Sequence, residues 1–550
     1  MRGHEAVAAE LARAGVRDVF GVVGVGNLHL VHELTAVHGA VYHAARHESG
    51  AVMAADAYAR VSGGLGVCTV TQGPGLGNTI TALTAAARFG TRLVVITGEM
   101  PASTPKGSSQ EIDQAALVEP TGARYARLTA DDDWTVATAE ILAEVRRTRV
   151  PVVIGLPNDV QQKPVRTSPP PPAAPAGAPP PPDPTAIAAA AQLLRTAELP
   201  LILAGRGALD GQTPALLAAL AERTGALLGT TLLAKDLFAG HPHQVGVVGG
   251  FTRPAARTIV DRADLVVAFG AGLNMWTTKK GTLFDHAALV QCDADPGALR
   301  ADARVGLAAD ARLTAEALLA AAGTAPARVL PAEITDALAQ PASEFPAGTD
   351  GVDPRAAIIA LDALLPANRT LVMDGGHFVG FPGTYLRVPD PHALVFTQNF
   401  GSIGLGLGAA VGAALGRPDA LCVAVLGDGG FTMALSELET VARLRRPMVL
   451  VIMNDNGYGA EVHHMRAIDM PTELAQFPPV PFADVARAFG LHAATARTVA
   501  EVEAVADLLD GLDRPLLLDL QVDPSVVADW FSERQPASGR SRAGGDVPSR

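Results

Sequence analysis

The stretch that most constrains what this chain can fold into is Leu421–Glu461, LCVAVLGDGGFTMALSELETVARLRRPMVLVIMNDNGYGAE. Its first apolar run, Leu421 to Leu426, has the length of a buried strand and stops at Gly427-Asp428-Gly429. The spacing predicts an amphipathic helix over Thr432–Leu444, with Leu435, Leu438 and Leu444 on one side. A second apolar run, Pro447 to Met453, ends at Asn454-Asp455-Asn456-Gly457. Two parallel strands joined by a crossover helix place both turns at the same carboxyl edge of a sheet. That edge would offer the carboxylates of Asp428 and Asp455 and a carbonyl from the Gly457 turn, hard oxygen ligands suited to Mg²⁺ or Ca²⁺ bridging to phosphates. Glycines beside them let the backbone come close to such a ligand. Gly, Asp and Asn are also the usual turn formers, so this spacing by itself leaves two ordinary strand-end turns open.

The rest of the chain repeats this alternation and predicts an α/β protein of three doubly wound parallel-sheet domains. The first runs over 1–165, with β-rich runs at Gly66–Thr71, Arg92–Gly98 and Pro151–Leu156. Residues 166–184 are about half proline, cannot build a core and read as a semi-rigid polyproline spacer. The α/β pattern returns over 185–323, where Gly205, Gly207 and Gly270 fall at strand ends. A Pro-punctuated linker is expected over 324–352, a third domain over 353–527, and a disordered polar tail over 528–550.

Composition removes several function classes. A net charge of −13 without a basic stripe argues against a nucleic-acid surface. No apolar run approaches the length of a membrane span, and the amphipathic N-terminus lacks a secretory apolar core, so a cytoplasmic protein without membrane association is expected. Cys68, Cys292 and Cys422 sit in or beside apolar runs without CxxC spacing and read as buried small hydrophobes.

The GDG, the 24 residues that follow it and the Asn454 pair resemble the diphosphate-binding motif of thiamine diphosphate (ThDP) enzymes. The pair here reads Asn454-Asp455, a carboxylate where the family offers an amide oxygen. The resemblance implies that Asp428, Asp455 and the Gly457 carbonyl ligate Mg²⁺. It also implies that Gly427, Gly429, Gly430, Tyr458 and Gly459, with Gly375, Gly376 and His377 after the strand at Thr370–Asp374, surround the diphosphate. Arg46-His47-Glu48 and the following VMAADAYAR resemble the segment carrying the family's cofactor-activating glutamate, with Ala57 replacing the usual Gly. By that likeness Glu48 hydrogen-bonds N1′ of the aminopyrimidine, so that the 4′-imino form can take the thiazolium C2 proton. Thr71-Gln72-Gly73-Pro74-Gly75 is similar to the S/T-x-GPG loop beside the pyrimidine, adding Gly73, Pro74, Gly75 and the nearby Asn78. Gly401-Ser402-Ile403-Gly404 is similar to the segment whose hydrophobe wedges the cofactor into its bent form. Domain order matches the acetolactate synthase and 2-oxo acid decarboxylase superfamily, which implies a homodimer or homotetramer with active sites at the subunit interface.

The reaction is less constrained. Ser109-Gln110-Glu111-Ile112-Asp113 resembles the F-Q-E-x-D segment of acetolactate synthases, with Ser109 in place of the aromatic, and puts Gln110 among the catalytic candidates. Glu461 falls where decarboxylases carry a second acidic residue, and with His463 and His464 could relay protons near neutrality; a solvated helix start is the plain alternative. The segments Val245–Gly250 and Gly272–Trp276 depart from those of FAD-binding acetolactate synthases, which leaves FAD an open but disfavoured cofactor. The expectation is a ThDP- and Mg²⁺-dependent, acetolactate synthase-like carboligase or lyase that passes an acyl unit from a 2-oxo acid such as pyruvate to a carbonyl acceptor. Alternatives are a 2-oxo acid decarboxylase releasing an aldehyde, an acyloin or aldehyde lyase, and a non-catalytic ThDP-binding homologue or partner subunit.

Overall fold

A computed structural model of the protein describes residues 1–170, 177–323, 328–340 and 344–532. Among them are three six-stranded sheets in which every ladder between named strands is parallel. The first contains β1 (Asp18–Gly21), β2 (Val41–Ala44), β3 (Gly66–Val70), β4 (Leu93–Glu99), β5 (Arg124–Arg127) and β6 (Val152–Pro157), in the order 2-1-3-4-6-5. The second contains β7 (Pro200–Ala204), β8 (Leu227–Thr230), β9 (Gln244–Val247), β10 (Leu265–Phe269), β11 (Ala288–Asp293) and β12 (Val305–Ala308), in the order 12-11-10-7-8-9. The third contains β13 (Arg369–Met373), β14 (Leu394–Phe396), β15 (Leu421–Gly427), β16 (Met448–Asn454), β17 (His492–Ala496) and β18 (Leu516–Gln521), in the order 14-13-15-16-18-17. The first and third sheets therefore share one topology. The near-continuous Val, Leu and Ile runs of β4, β15 and β16 follow from burial on both faces.

Register fixes the edge predicted from sequence. Leu426 pairs with Ile452 and Gly427 with Met453, so the turns after β15 and β16 leave the third sheet side by side. The connecting helix differs from expectation. It is two helices, Asp428–Met433 and Glu437–Leu444, and the first begins at Asp428 itself.

The first and third sheets share one hydrophobic core, joined where helix Glu48–Ser62 lies on helix Gly406–Gly416. Gly408 and Gly412, four residues apart, make this possible. A Cβ at Gly408 would lie 2.8 Å from the Gly50 backbone, and one at Gly412 only 1.8 Å from the Ala54 carbonyl. The glycine-rich segment is thus a helix face trimmed for backbone contact.

Two stretches read as linker and tail carry packed structure. Residues 332–339 form a helix, and Leu330 and Ile334 bury themselves in the core of the second sheet. Ala528, Trp530 and Phe531 are buried against the third core, so that body extends beyond residue 527. Residues 533–550 of the expected tail and 171–176 of the proline-rich stretch lie outside the described residues. All three cysteines are free and buried. Among the described residues no helix is long and apolar enough to cross a membrane.

Replacing a helix-interior glycine by alanine ordinarily gains about 0.5–1 kcal/mol. Gly412→Ala is expected to do the opposite, costing about 1–3 kcal/mol through overpacking. Urea unfolding of the variant beside the parent reads the sign.

Candidate active site

At the carboxyl edge of the third sheet, Asp428 opens its helix directly from β15 and is buried. Its Oδ2 accepts the Gly457 N–H at 3.0 Å, stitching the two turns together. Burial raises the carboxyl pKa of both Asp428 and Asp455, and the charge of Asp455 raises that of Asp428 further. Of the Asn454-Asp455 pair only the aspartate belongs to this group: Asn454 is buried and donates through Nδ2 to Asp519 Oδ1 at 2.8 Å. The turn is held open by Asn456, at φ 57°, and by Tyr458 N–H donating to the Ala475 carbonyl at 2.8 Å.

These donors fit a hard divalent cation. Two buried carboxylates crowd each other without one, and a cation takes up their charge. Among the described residues no three His, Cys, Asp or Glu side chains gather as a complete metal cluster. The protein would therefore supply two carboxylates and a carbonyl, leaving the remaining coordination positions to other oxygens.

The surrounding glycines are sites of close approach. A Cβ at Gly459 would lie 2.0 Å from Asp455 Oδ2, one at Gly429 2.6 Å from the Tyr458 ring, and one at Gly375 2.7 Å from the Ser402 carbonyl. Asp374, absent from the residues singled out by sequence, fixes the 401–405 loop. It is buried and accepts from Gly404 N–H at 2.9 Å, Leu405 N–H at 3.3 Å and Thr397 Oγ1 at 3.0 Å. Gly401 and Gly404 both take positive φ there, and the buried Ser402 Oγ has no protein partner. An orphaned hydroxyl beside the Ile403 backbone suits a site completed by a ligand.

His377 and His463 pack against each other, with Nε2 atoms 3.3 Å apart. Burial pushes their pKa values down to about 3 and about 4. His463 is therefore neutral at neutral pH, contrary to the expectation that it titrates there. Glu461 and His464 lie on the exposed side of the same helix, Gly459–Ala467, and His463 on its buried side, so the three residues expected to form one relay do not face one point.

At the edge of the first sheet, Glu48 opens helix Glu48–Ser62 and is half-buried. Its Oε2 accepts from Asn78 Nδ2 at 2.9 Å, and a Cβ at Gly75 would sit 3.6 Å from its Oε1. Pro74 starts the short helix Pro74–Gly77. Gly73 has φ 62°, and a Cβ there would meet the Gln110 carbonyl at 2.4 Å. Its N–H donates at 2.9 Å to Gln114 Oε1, a buried amide that sequence did not single out.

Glu437 is the third residue missed. Only 2% exposed, it accepts the backbone N–H groups of Arg46 at 3.0 Å and His47 at 2.8 Å on one oxygen, and the Thr440 hydroxyl at 2.7 Å on the other. A helix nine residues after Asp428 thus holds the turn that launches Glu48. Arg46, paired with Glu439, and Arg443, donating to the Ala44 carbonyl, flank this clamp. A carboxylate beside Leu438 on an amphipathic helix was the available clue, and it did not name a partner 390 residues away.

The chain matches three family profiles: the thiamine pyrophosphate enzyme N-terminal TPP binding domain over residues 1–117, the central domain over 187–318 and the C-terminal TPP binding domain over 374–520. It is 29% identical to acetolactate synthase 2, chloroplastic, of Zea mays, covering 95% of this chain and 85% of that protein. It is 28% identical to the sulfoacetaldehyde acetyltransferase of Roseovarius nubinhibens, over 94% and 90%. It is 32% identical to a probable 2-ketoarginine decarboxylase of Pseudomonas aeruginosa, over 91% and 90%.

Glu437→Ala strands two backbone donors and is expected to cost about 1–3 kcal/mol. Urea unfolding measures the loss, and hydrogen exchange at the Arg46 and His47 amides should accelerate with it.

Proposed function

This chain belongs to the ThDP-dependent enzymes, in their acetolactate synthase-like group, and on that premise we propose that it is a Mg²⁺-assisted carboligase. It takes an acyl unit from a 2-oxo acid such as pyruvate, with loss of CO₂, and joins it to a carbonyl acceptor. The observation that carries this reading is the pairing of two half-sites: Glu48 with Asn78 on one sheet edge, and Asp428 with Asp455 and the Gly457 turn on another. That it makes or breaks C–C bonds, as its relatives' names indicate, leaves no need for the non-catalytic alternative.

When bound, the cofactor supplies an acidic thiazolium carbon and an electron sink for the acyl unit. This chain's residues do the rest. Asp428, Asp455 and the Gly457 carbonyl would hold Mg²⁺, and Gly427, Gly429, Gly430, Tyr458, Gly459, Gly375, Gly376 and His377 would line the diphosphate site. Ile403 and the Gly401 carbonyl would hold the cofactor's ring system. Glu48, oriented by Asn78, would hold the proton at N1′, and Gly73, Pro74 and Gly75 would border that ring. Gln110 would face the substrate.

The site is completed by a second copy of the chain in a homodimer or homotetramer. Exposed apolar side chains beside both half-sites support this: Val25 is 74% exposed on the first edge, and Met433 is 58% and Leu474 83% exposed on the third. Such side chains beside a polar rim are what a subunit interface covers. FAD is not part of the proposal. Gly205, Gly207 and Gly270 are consumed by packing on one another, a Cβ at Gly205 meeting the Gly270 carbonyl at 2.3 Å, while Arg206 stacks 4.4 Å over Phe89 of the first body. A cytoplasmic location is proposed with this metabolic role.

Decarboxylation to an aldehyde is the second reading, favoured by the 32% identity to a probable 2-ketoarginine decarboxylase. Proton NMR of the protein with ThDP, Mg²⁺ and either pyruvate or 2-ketoarginine separates the two. Acetolactate or acetoin from pyruvate supports carboligation, and an aldehyde from either donor supports decarboxylation. Glu48→Gln should lower turnover at least about 10²-fold, and undiminished turnover in that variant would contradict the role given to Glu48.

A further inference from the structure

Three loops converge at the carboxyl edge of the first sheet, and one buried side chain ties them. Gln72 is 3% exposed. Its amide is fitted so closely that a Cβ at Gly26 would lie 1.9 Å from its Oε1, and one at Gly98 2.6 Å. Around it runs a directional chain of hydrogen bonds. The Gly26 N–H donates to Thr71 Oγ1 at 3.2 Å, the Thr71 hydroxyl donates to Gln72 Oε1 at 3.0 Å, and Gln72 Nε2 donates to Gln110 Oε1 at 2.8 Å.

The Thr71 hydroxyl accepts the Gly26 N–H on one lone pair and turns its own hydrogen to Gln72. The Gln72 oxygen lies toward Thr71 and its nitrogen toward Gln110. The Gln110 carbonyl oxygen is thereby occupied, and its Nε2 is left for whatever enters the site. Gln110 is an exposed residue held at φ 65°, a left-handed backbone that a glutamine adopts only when its surroundings impose it. Those surroundings are Gly73, whose missing Cβ admits the Gln110 carbonyl, and Gln72.

We propose that Gln72 is a positioning residue that sets the direction of the Gln110 amide, so that Gln110 meets a 2-oxo acid with N–H donors and not with its carbonyl. The proposal rests on the reading that Gln110 faces the substrate. N–H donors suit the carboxylate or the carbonyl oxygen of a 2-oxo acid, both acceptors, whereas a glutamine oxygen presented there would repel them. Gln72 itself touches no reacting atom.

The test uses the full chain loaded with ThDP and Mg²⁺. Gln72→Met keeps the length and volume of the side chain and removes the donor. It should lower kcat/KM for the 2-oxo acid about tenfold or more, with ThDP affinity and thermal midpoint close to the parent's. The double variant Gln72→Met with Gln110→Ala should be no slower than Gln110→Ala alone, because both act through one amide. Glutamine-selective ¹⁵N NMR supplies a readout apart from turnover: the Gln110 side-chain NH₂ signal, assigned by its loss in Gln110→Ala, should shift in Gln72→Met. If Gln72→Met does not fold, Gln72→Glu takes its place, since an ionised carboxylate can only accept and should turn the Gln110 NH₂ toward itself, with the same loss of kcat/KM. An unshifted NH₂ signal, an unchanged kcat/KM or additive losses in the double variant would overturn the proposal while the site reading stands. Full turnover in Gln110→Ala would overturn the site reading and the proposal with it, a case recognised because the NH₂ signal would still shift in Gln72→Met.

Discussion

Two carboxylates buried side by side at the end of adjacent parallel strands are the constraint around which the third body is built. Asp428 is buried and Asp455 nearly so, and each faces the other. In a low-dielectric edge that arrangement costs free energy unless a cation neutralises it. The register of β15 on β16, the Gly457 N–H given to Asp428 and the glycines at 429 and 459 all serve to keep the pair close. A chain selected only for stability would place apolar residues there. The placement supports the proposal that a metal ion and an anionic ligand sit at this edge.

The second constraint is between bodies. The edge that carries Glu48 and the edge that carries Asp428 and Asp455 belong to sheets of the same topology, and one chain packs those sheets into a single core through backbone contact at Gly408 and Gly412. Glu437 converts that packing into a defined position for the turn preceding Glu48. Buried carboxylates that accept backbone N–H groups act at fixed geometry, and this one links the helix behind Asp428 to the helix that begins with Glu48. The same logic recurs within each edge: Asp374 holds the loop carrying Ile403, Gln114 holds the loop carrying Gly73, and Gln72 of that loop bonds Gln110.

What sequence revealed and what it hid divide along these lines. The strands β15 and β16 were legible because long apolar runs end in Gly-Asp and Asn-Asp turns, and a parallel crossover forces those turns to one edge. The positions of Glu48 at a helix start and of Asp428 and Asp455 at one sheet edge were legible because their motifs are local. Glu437, Asp374, Gln72 and Gln114 were not, because each acts on a partner that is distant in sequence and each reads locally as an ordinary polar residue. The short edge strands β2, β12 and β14, of three or four residues, carry too little pattern to stand out. Helix Ala332–Ala339 was read as linker because the prolines around it outweighed the apolar pair Leu330 and Ile334. His463 was misjudged for a different reason: its titration is set by burial against His377 and not by residue type.

The most direct test of the account is a calorimetric titration of ThDP into the cofactor-free protein, once with Mg²⁺ and once in EDTA. If Asp428, Asp455 and the Gly457 turn hold the diphosphate through a divalent cation, binding saturates at one ThDP per chain with Mg²⁺ and weakens at least about tenfold in EDTA, a loss of about 1.4 kcal/mol or more. Equal affinity in the two titrations would contradict it.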